Sequence, residues 1–433
     1  MKNKLDSLKD SKRYATFLRW GKMLSVTGFA QVLVQLAGVA TGLIITKLLP
    51  TQEYAYYTIA NTMLGTMTVL ADSGIGVGVM SSGGKVWDDR KKLGQVLNTG
   101  IFLRRKFARN SLLVSLPILF FLLQKQGATL LTTFLVCISI LPAFWAALTD
   151  SLLETIPKLH RAYIPLQKNQ GMVSLGRLFL TSAAVFLFPF TFVTLISNGI
   201  PRIWGNGKLK IISASYIDSA AEVDEGVKKE ILTIVKRSLP GNIYYCISGQ
   251  LTLWLLSFFG STSDIAGIGA ISRFAMLTSI VSMIFGTLFV PQFSKLTDKA
   301  KMVKHLILYF AFLLTICCIV IFFTWLLSDF ILSILGNNYL GLNFELLLTM
   351  TLSCITLIGG ACYGLSSAQG WIINPVLLII TNFLSIIIGL FLFRVDNITE
   401  ALYFQLTTAI IPLFITIMYL IIKVSKYKSF KVE

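Results

Sequence analysis

Charged residues are scarce in this chain. Of its 433 residues, 13% are charged and 55% are hydrophobic, whereas a soluble globular chain is about 25% charged. The mean hydropathy is +0.74. These proportions exclude an ordinary soluble domain and predict a membrane protein. The first apolar run, 24–49, is too long for the hydrophobic region of a signal peptide and lacks a small-residue cleavage site, so we expect it to stay in the membrane.

Histidine and closely spaced cysteine pairs are also scarce. The chain has two histidines and six cysteines, all six within apolar runs and none in CxxC spacing. We therefore expect the cysteines to be small apolar residues rather than disulfides or metal ligands, and we expect no cofactor. The sequence has no HExxH, GxSxG or Walker A motif, so it predicts no enzyme. The acidic pair in "WDDR", 87–90, is expected to lie in a solvated loop.

The apolar runs predict an all-α polytopic membrane protein with about twelve transmembrane helices. A span needs about 20 predominantly apolar residues. Segment 171–204 is short for two spans and carries Pro189, so it is either a tight hairpin or one tilted helix. The predicted spans are 24–47, 54–79, 109–124, 128–150, 171–188, 190–204, 239–259, 265–290, 304–327, 342–366, 371–393 and 399–422.

The placement of basic residues favours twelve spans with both termini in the cytoplasm. In that arrangement 33 of the 38 lysines and arginines fall on the inner side, as the positive-inside rule requires. A single span at 171–204 would move every later inner segment outside. The net charge of +18 is therefore a topology signal that also suits anionic lipid headgroups, and it does not indicate nucleic-acid binding.

The longest hydrophilic segment, 205–236, divides the chain into two halves of six spans. We predict a cytoplasmic segment 1–23, a six-helix bundle 24–204, a linker with an amphipathic helix 205–238, a second bundle 239–422 and a cytoplasmic tail 423–433. The halves resemble each other where "LLPTQEYAYYTIANTM" aligns with "FFGSTSDIAGIGAISRFAM". Repeats of the same orientation imply a pseudo-two-fold axis along the membrane normal and a central cavity between the halves.

Polar residues inside spans are the candidates for a binding site, because they are costly in lipid unless they face a cavity or a partner. Each has a structural alternative: Arg177 could snorkel to the headgroups, Asp72 could brace the end of its helix, and Gln31 and Gln35 could join helices. The substrate-binding candidates are Arg273, Arg177, Asn61, Gln31, Gln35 and Tyr363. Asp72 is the candidate for ion coupling or gating.

Three stretches resemble the bacterial polysaccharide exporters, the O-antigen flippase (Wzx-type) group. They are "LLPTQEYAYYTIANTMLGTMTVLADSGIG", "ISRFAMLTSIVSMIFGTLFVPQFSKL" and "ILSILGNNYLG". The resemblance covers most of the chain and implies the multidrug/oligosaccharidyl-lipid/polysaccharide (MOP) exporter superfamily. It implies a MATE-like fold: two six-helix bundles around a cavity that opens to one face at a time.

By that resemblance, the cargo is a polyprenyl-diphosphate-linked oligosaccharide, such as an O-antigen or capsule repeat unit. It would be flipped from the inner to the outer leaflet of the bacterial cytoplasmic membrane, with coupling to protons or sodium. Arginine suits a diphosphate because it binds phosphate oxygens in pairs. The expected partners are this cargo, membrane lipids, the coupling ion and other polysaccharide-assembly membrane proteins. The alternatives are a drug or metabolite cation antiporter of the same fold, a membrane enzyme of glycan assembly and a non-transporting scaffold.

Overall fold

The computed structural model describes residues 31–160, 162–294, 296, 298–369, 371 and 375–426. These residues form helices joined by turns, with no strand among them. The predicted segment 1–23 and residues 427–433 lie outside the described part. The helices are α1 (Gln31–Leu48), α2 (Thr51–Asp72), α3 (Ile75–Lys85), α4 (Arg90–Lys125), α5 (Leu130–Leu153), α6 (Thr155–Leu159), α7 (Tyr163–Leu187), α8 (Thr191–Ala214), α9 (Glu225–Phe259), α10 (Thr262–Ala275), α11 (Thr278–Ser294), α12 (Lys299–Leu326), α13 (Ser328–Leu335), α14 (Asn343–Ala368), α15 (Pro375–Leu392) and α16 (Ile398–Ser425), with a 3-10 turn at Asn337–Tyr339.

By length and composition, eight stretches of helix in the described part are able to cross a membrane. The α2–α3 pair, bent by 43°, would make nine. The sequence predicted about twelve, and the difference lies in three helices. Over much of their length α8 and α9 mix apolar with polar residues, and the apolar α15 is short.

Segment 171–204 is a helical hairpin. α7 ends at Leu187 and α8 begins at Thr191, with Pro189 in the turn between them. Proline has no backbone N–H for a helical bond and restricts the residue before it, so it favours a break here. α8 runs on to Ala214, which leaves only 215–224 outside helices in the predicted linker.

Two predicted boundaries differ because side chains cap helices within the polar segments. α4 begins at Arg90 rather than near 109, because the Asp89 side chain accepts hydrogen bonds from the backbone N–H groups of Lys91 and Lys92. α9 begins at Glu225, where Asp224 acts in the same way. The expected amphipathic helix and seventh span therefore form one continuous helix.

The second span of each half is broken. α2 and α3 are separated by Ser73 and Gly74, both in the left-handed region with φ of 44° and 93°. α10 and α11 are separated by Met276 and Leu277. Ser73 is the unusual residue, because a side chain disfavours positive φ. Both halves therefore place a discontinuity in a helix that faces the other half.

Each half contains the same two contacts between its own helices, at equivalent positions. Glu53, in the first turn of α2, accepts the backbone N–H of Thr191 at 2.7 Å, at the start of α8. Asp264, in the first turn of α10, accepts the backbone N–H of Ile398 at 3.3 Å, at the start of α16. Each carboxylate caps the last long helix of its own half, where anions are favoured.

A second matched pair lies at the opposite end of the molecule. Arg90, the first residue of α4, donates to the carbonyl oxygen of Ala214, the last residue of α8. Lys299, the first residue of α12, donates to the carbonyl oxygen of Ser425, the last residue of α16. In each matched contact, the second-half residue follows its first-half counterpart by about the same number of positions as Ser272 follows Asn61 when the two halves are aligned. These contacts are what an internal repeat predicts.

Candidate functional site

The two halves share a hydrophobic core at one end and have separate cores at the other. We call the end at the α1–α2 turn the outer end and the end at Arg90 and Lys299 the inner end, after the orientation that the charges predict. The outer core joins residues of both halves, among them Tyr54, Ile265 and Phe404. The inner cores are distinct: one around Leu93 combines the first half with α9, and one in the second half includes Leu306.

Polar contacts between the halves reinforce the outer end. Asn338 donates to the Thr51 hydroxyl at 3.0 Å. Gln126 donates to the carbonyl oxygen of Ser257 at 2.8 Å and accepts from the Thr262 hydroxyl at 2.9 Å. Because side chains and backbone both contribute, the outer end is closed by packing and by directed hydrogen bonds together.

A polar cavity of about 230 Å³ lies at the interface between the halves. It brings together two of the predicted residues, Asn61 from α2 and Arg273 from α10. The cavity has one arginine and no carboxylate in its lining. Its lining residues are Thr58, Asn61, Thr62, Gly249, Gln250, Leu253, Ile268, Gly269, Ser272, Arg273, Met276 and Gln405.

Arg273 is held by aromatic residues of the opposite half. Its Nε donates to the Tyr54 hydroxyl at 3.2 Å, and its guanidinium carbon lies 5.7 Å from the centre of the Tyr57 ring, within cation–π range. Gly42 on α1 gives the side chain room, because a Cβ there would stand 2.9 Å from Arg273 Cδ. The arginine is therefore fixed in position although no acidic residue pairs with it among the described ion pairs.

A second polar cavity, of about 180 Å³, lies within the first half and holds Gln31 and Arg177. Gln31 donates to Gln167 at 3.1 Å and Gln170 at 2.8 Å. Arg177 donates to the Asn198 side chain at 2.5 Å and lies within electrostatic range of Tyr57 in its own half and of Arg273 across the interface. The two intramembrane arginines thus belong to different cavities that are within electrostatic reach of each other.

The carboxylates of this second cavity already have cationic partners. Asp150 accepts from Arg202 at 2.5 Å, and Glu154 accepts from Lys158 at 2.8 Å. The latter is the favourable i, i+4 helical pair that the sequence predicts. Arg177 lies within electrostatic range of Asp150, but none of the described ion pairs joins Arg177 to a carboxylate.

Asp72 lies at the α2–α3 break and binds a buried arginine. It forms an ion pair with Arg104 of α4 and accepts the backbone N–H of Gly76 at 3.0 Å. Arg104 also donates to the carbonyl oxygen of Leu148 at 2.5 Å and to the Ser151 hydroxyl at 2.6 Å. The carboxylate therefore ties the broken span to α4 and α5. Its predicted role in ion coupling or gating stays a prediction.

Two of the predicted substrate-binding residues lie outside both polar cavities. Gln35 donates to the Ser279 hydroxyl at 2.6 Å and so links α1 to α11. Tyr363 is 51% exposed on α14. The cavities therefore do not support a contact of these two residues with cargo. Gln35 instead joins two helices, which was the structural alternative for this residue.

Sequence reasoning missed the residues that hold the arginines in place. Arg104 lies outside the predicted spans, the nearest of which begins at 109, yet it is 3% exposed within α4. Gly42, Tyr54 and Tyr57 are not among the predicted site residues. The available signal was the tyrosine-rich run directly before Asn61.

All six cysteines are free, and no cluster of three or more His, Cys, Asp or Glu suitable for a metal occurs in the described part of the chain.

No protein-family model matches the sequence, and no curated protein matches it. Solved structures do. An inward-facing multidrug resistance MATE family transporter of the MOP superfamily has a TM-score of 0.67 at 13% identity, covering 91% of this chain and 96% of that one. Lipid II flippase MurJ, inward closed, has 0.68 at 15%, covering 93% and 88%. A MOP superfamily transporter from Pyrococcus furiosus has 0.56 at 14%, covering 94% and 96%.

These likenesses establish the fold. The chain is a multi-pass, all-α membrane protein with the architecture of MOP superfamily structures, and the predicted fold class is confirmed. Sequence identities this low do not indicate which substrate this chain binds. The narrower resemblance to polysaccharide exporters stays a prediction.

Proposed function

We propose that the protein is a flippase that moves a polyprenyl-diphosphate-linked oligosaccharide across the cytoplasmic membrane by alternating access. The observation that carries this proposal is the interface cavity, which combines a positioned arginine with amide and hydroxyl groups and has no carboxylate. An anionic group joined to sugar hydroxyls is the cargo that such a lining complements. The fold is shared with MATE transporters and with lipid II flippase MurJ.

Arg273 is the residue we assign to the diphosphate. A guanidinium carries five N–H donors, more than the contacts to Tyr54 and Tyr57 use. Its remaining donors suit phosphate oxygens, which arginine binds in pairs. Arg177 is the second cation within electrostatic reach, and Asn61 offers an amide to the sugar. Gln31 lines the same cavity as Arg177, while Gln35 and Tyr363 remain candidates that line neither cavity.

The movement follows from the packing. The interface cavity is much smaller than an oligosaccharide, so the halves must separate for cargo to pass. The outer end has a shared core, whereas the inner cores are independent. We therefore assign this conformation to a state that is closed to the outside and from which cargo is taken at the inner leaflet.

Coupling to protons or sodium is assigned to Asp72. Protonation or ion binding there would weaken its ion pair with Arg104 and free the α2–α3 break from α4 and α5. The break would then act as a hinge of the kind that two-state transporters use. Because the partner arginine is buried, a purely structural role is the alternative, and measuring stability and transport together distinguishes the two roles.

An antiporter for cationic drugs or metabolites is the alternative on the same fold. A cationic cargo needs an acidic or aromatic lining, and the interface cavity has no carboxylate. An enzyme of glycan assembly has weaker support still, because most outer-end connections between described helices are only a few residues long.

The test uses a strain deleted for this gene. We expect lipid-linked oligosaccharide to accumulate on the inner face of the cytoplasmic membrane, together with loss of surface polymer. Wild type should restore both and Arg273→Ala should not. Normal surface polymer without accumulation would overturn the proposal and direct attention to efflux assays.

Two glycines supply a matched control for the position of Arg273. Gly42→Ala places a methyl group against Arg273, whereas a Cβ at Gly38, one turn earlier, meets nothing within 4 Å. Alanine favours a helix over glycine by about 1 kcal/mol, so neither variant should weaken the fold much. We expect Gly42→Ala to lower surface polymer and Gly38→Ala to leave it at the wild-type level. Equal activity of the two would remove the Arg273 position from the mechanism.

A further inference from the structure

The second polar cavity, inside the first half, has buried acceptor oxygens in its wall that the described residues leave unsatisfied. Asn169 of α7 and Asn206 of α8 line this cavity and are 3% and 7% exposed. The side-chain oxygen of each accepts no hydrogen bond from any described residue. Buried polar groups without a partner are rare in folded proteins and call for an explanation. Two of them in the wall of one cavity indicate that it receives hydrogen-bond donors from outside the chain.

Helix packing holds both asparagines at the cavity. The Asn206 amide nitrogen donates to the backbone carbonyl oxygen of Ala146 at 2.9 Å. A carbonyl oxygen accepts only from the nitrogen end of an amide, so the oxygen is the end left over. Asn169 lies against Gly205 of α8, where a Cβ would stand 3.5 Å from its amide nitrogen and 3.7 Å from its amide oxygen. The acceptors are therefore in place before a ligand arrives.

The same cavity offers donors. Arg177 uses its Nε for the Asn198 side chain, which leaves the other N–H groups of the guanidinium without a hydrogen bond to the described residues. The remaining amides are occupied: Gln31 donates to Gln170 at 2.8 Å, and Gln170 donates to Glu154 at 2.7 Å. The open groups are thus one guanidinium that donates and two amide oxygens that accept.

The charges of the lining cancel. Arg177 and Arg202 contribute two positive charges, and Asp150 and Glu154 contribute two negative ones. A metal cation here would lie near two arginines, and an anion would lie near two carboxylates and two amide oxygens, so the lining favours neither. A hydroxyl group is neutral, and it both donates and accepts. A ring with several hydroxyl groups therefore matches the open acceptors and donors.

The volume limits the ligand to a single ring. The cavity measures about 180 Å³, and a water molecule in the liquid occupies about 30 Å³. There is room for roughly six water molecules, or for one sugar ring in their place, and not for a disaccharide. Arg177 and Arg273 lie within electrostatic range of each other, so one cargo molecule can reach both this cavity and the interface cavity.

We propose that the second polar cavity is a subsite for one neutral sugar residue of the cargo. Hydroxyl groups of the sugar donate to the side-chain oxygens of Asn169 and Asn206 and accept from the Arg177 guanidinium. The inference rests on the proposed function, because it makes the ligand part of the flipped oligosaccharide. The diphosphate and this sugar are then recognised by different cavities, the first by Arg273 and the second by the two asparagines.

The test measures sugar binding directly, by saturation-transfer difference NMR on the purified full-length protein in a detergent without a sugar headgroup. The probes are neutral methyl glycosides of hexoses, deoxyhexoses and N-acetylhexosamines, with methyl glucuronide as the anionic comparison. We expect saturable binding of at least one neutral sugar. Asn169→Leu and Asn206→Leu should each weaken it about fivefold, the effect of one hydrogen bond. Asn110→Leu, at an exposed asparagine of α4 outside this cavity, should leave binding unchanged.

Unfolding temperatures separate loss of a ligand contact from loss of the fold. None of the described hydrogen bonds uses the Asn169 side chain, so Asn169→Leu should unfold at the wild-type temperature when no sugar is present. A saturating sugar should raise that temperature in wild type and much less in the variant. If Asn206→Leu unfolds because it also loses its bond to Ala146, Asn169→Leu carries the test.

Several outcomes would overturn the proposal. Absence of saturable binding by every neutral sugar would mean that the cavity holds only water, and binding unchanged in both asparagine variants would place the sugar elsewhere. A preference for methyl glucuronide would assign the cavity to an anionic ligand. Stabilisation of wild type by sodium chloride over potassium chloride, lost in Asn169→Leu, would assign it to a cation.

These failures are distinguishable from failure of the proposed function. The deletion strain tests flipping without any measurement of sugar binding. Inner-face accumulation that wild type corrects and Arg273→Ala does not, together with no sugar binding in vitro, would keep the flippase and remove this subsite. Saturable, asparagine-dependent sugar binding with normal surface polymer in the deletion strain would keep the sugar site and remove the flippase.

Discussion

Asp72→Asn distinguishes a structural brace from a coupling residue. The Arg104 side chain is 4% exposed and the Asp72 side chain is 33% exposed. Removing one partner of a fully buried ion pair costs about 3–5 kcal/mol, because the remaining charge stays buried without compensation. Since water reaches the carboxylate and Arg104 keeps its bonds to Leu148 and Ser151, we expect a loss of about 2 kcal/mol in the free energy of unfolding.

The assay is a double-mutant cycle on purified protein, with unfolding followed by temperature and by denaturant. Asp72→Asn, Arg104→Met and the double variant are compared with wild type. Partners in direct contact should couple by about 1–2 kcal/mol, so the double variant should lose less stability than the sum of the single variants. Arg105→Met is the control, because it removes an exposed charge from the neighbouring position of α4.

The brace and the coupling role make opposite predictions when stability and transport are measured together. A brace predicts that Asp72→Asn loses stability and that Arg104→Met recovers part of it in the double variant. Unchanged unfolding of Asp72→Asn with loss of gradient-dependent transport would refute the structural reasoning and favour coupling. Unchanged transport would remove Asp72 from the transport mechanism.

Two further predictions concern contacts outside the cavities. Lys85 donates a hydrogen bond to Glu230 and lowers the pKa of that carboxyl group; the pair therefore stabilises the α3–α9 contact at neutral pH and is lost as pH falls through the lowered pKa, below the ordinary value of roughly 4.3. Measured against the intrinsic exchange rate of each amide at the same pH, the protection of α3 from hydrogen exchange should fall on acidification in wild type but not in Glu230→Gln. Asp264 accepts from Ser261 and from the first residue of α16, so Asp264→Ala should lower the free energy of unfolding by about 1–2 kcal/mol; an unchanged unfolding temperature would contradict this role.

Much of the fold follows from local pattern. Apolar runs of membrane length predict most of the helices, and the alternation of basic segments favours two spans over one tilted helix at 171–204. Helix starts were less predictable. Asp89 and Asp224 cap helices within polar segments, where hydropathy gives no signal.

The candidate site was predictable in part. Asn61 and Arg273 were chosen because polar groups in apolar spans need a cavity or a partner, and both line the interface cavity. The sequence did not predict the supporting residues Tyr54, Tyr57 and Gly42, because tyrosine and glycine are common in membrane helices. Their role depends on contacts with Arg273, which is distant from them in the sequence.

The sequence by itself determined that this chain is a membrane protein with two similar halves, because hydropathy and charge act along the chain and need no partner. The tertiary structure alone decided which polar residues meet. It paired Asp72 with Arg104, an arginine outside the predicted spans, and it brought Arg273 against two tyrosines of the other half. The physical reason is that the meaning of a charge inside a membrane depends on its nearest neighbours, and those neighbours are set by helix packing rather than by position in the sequence.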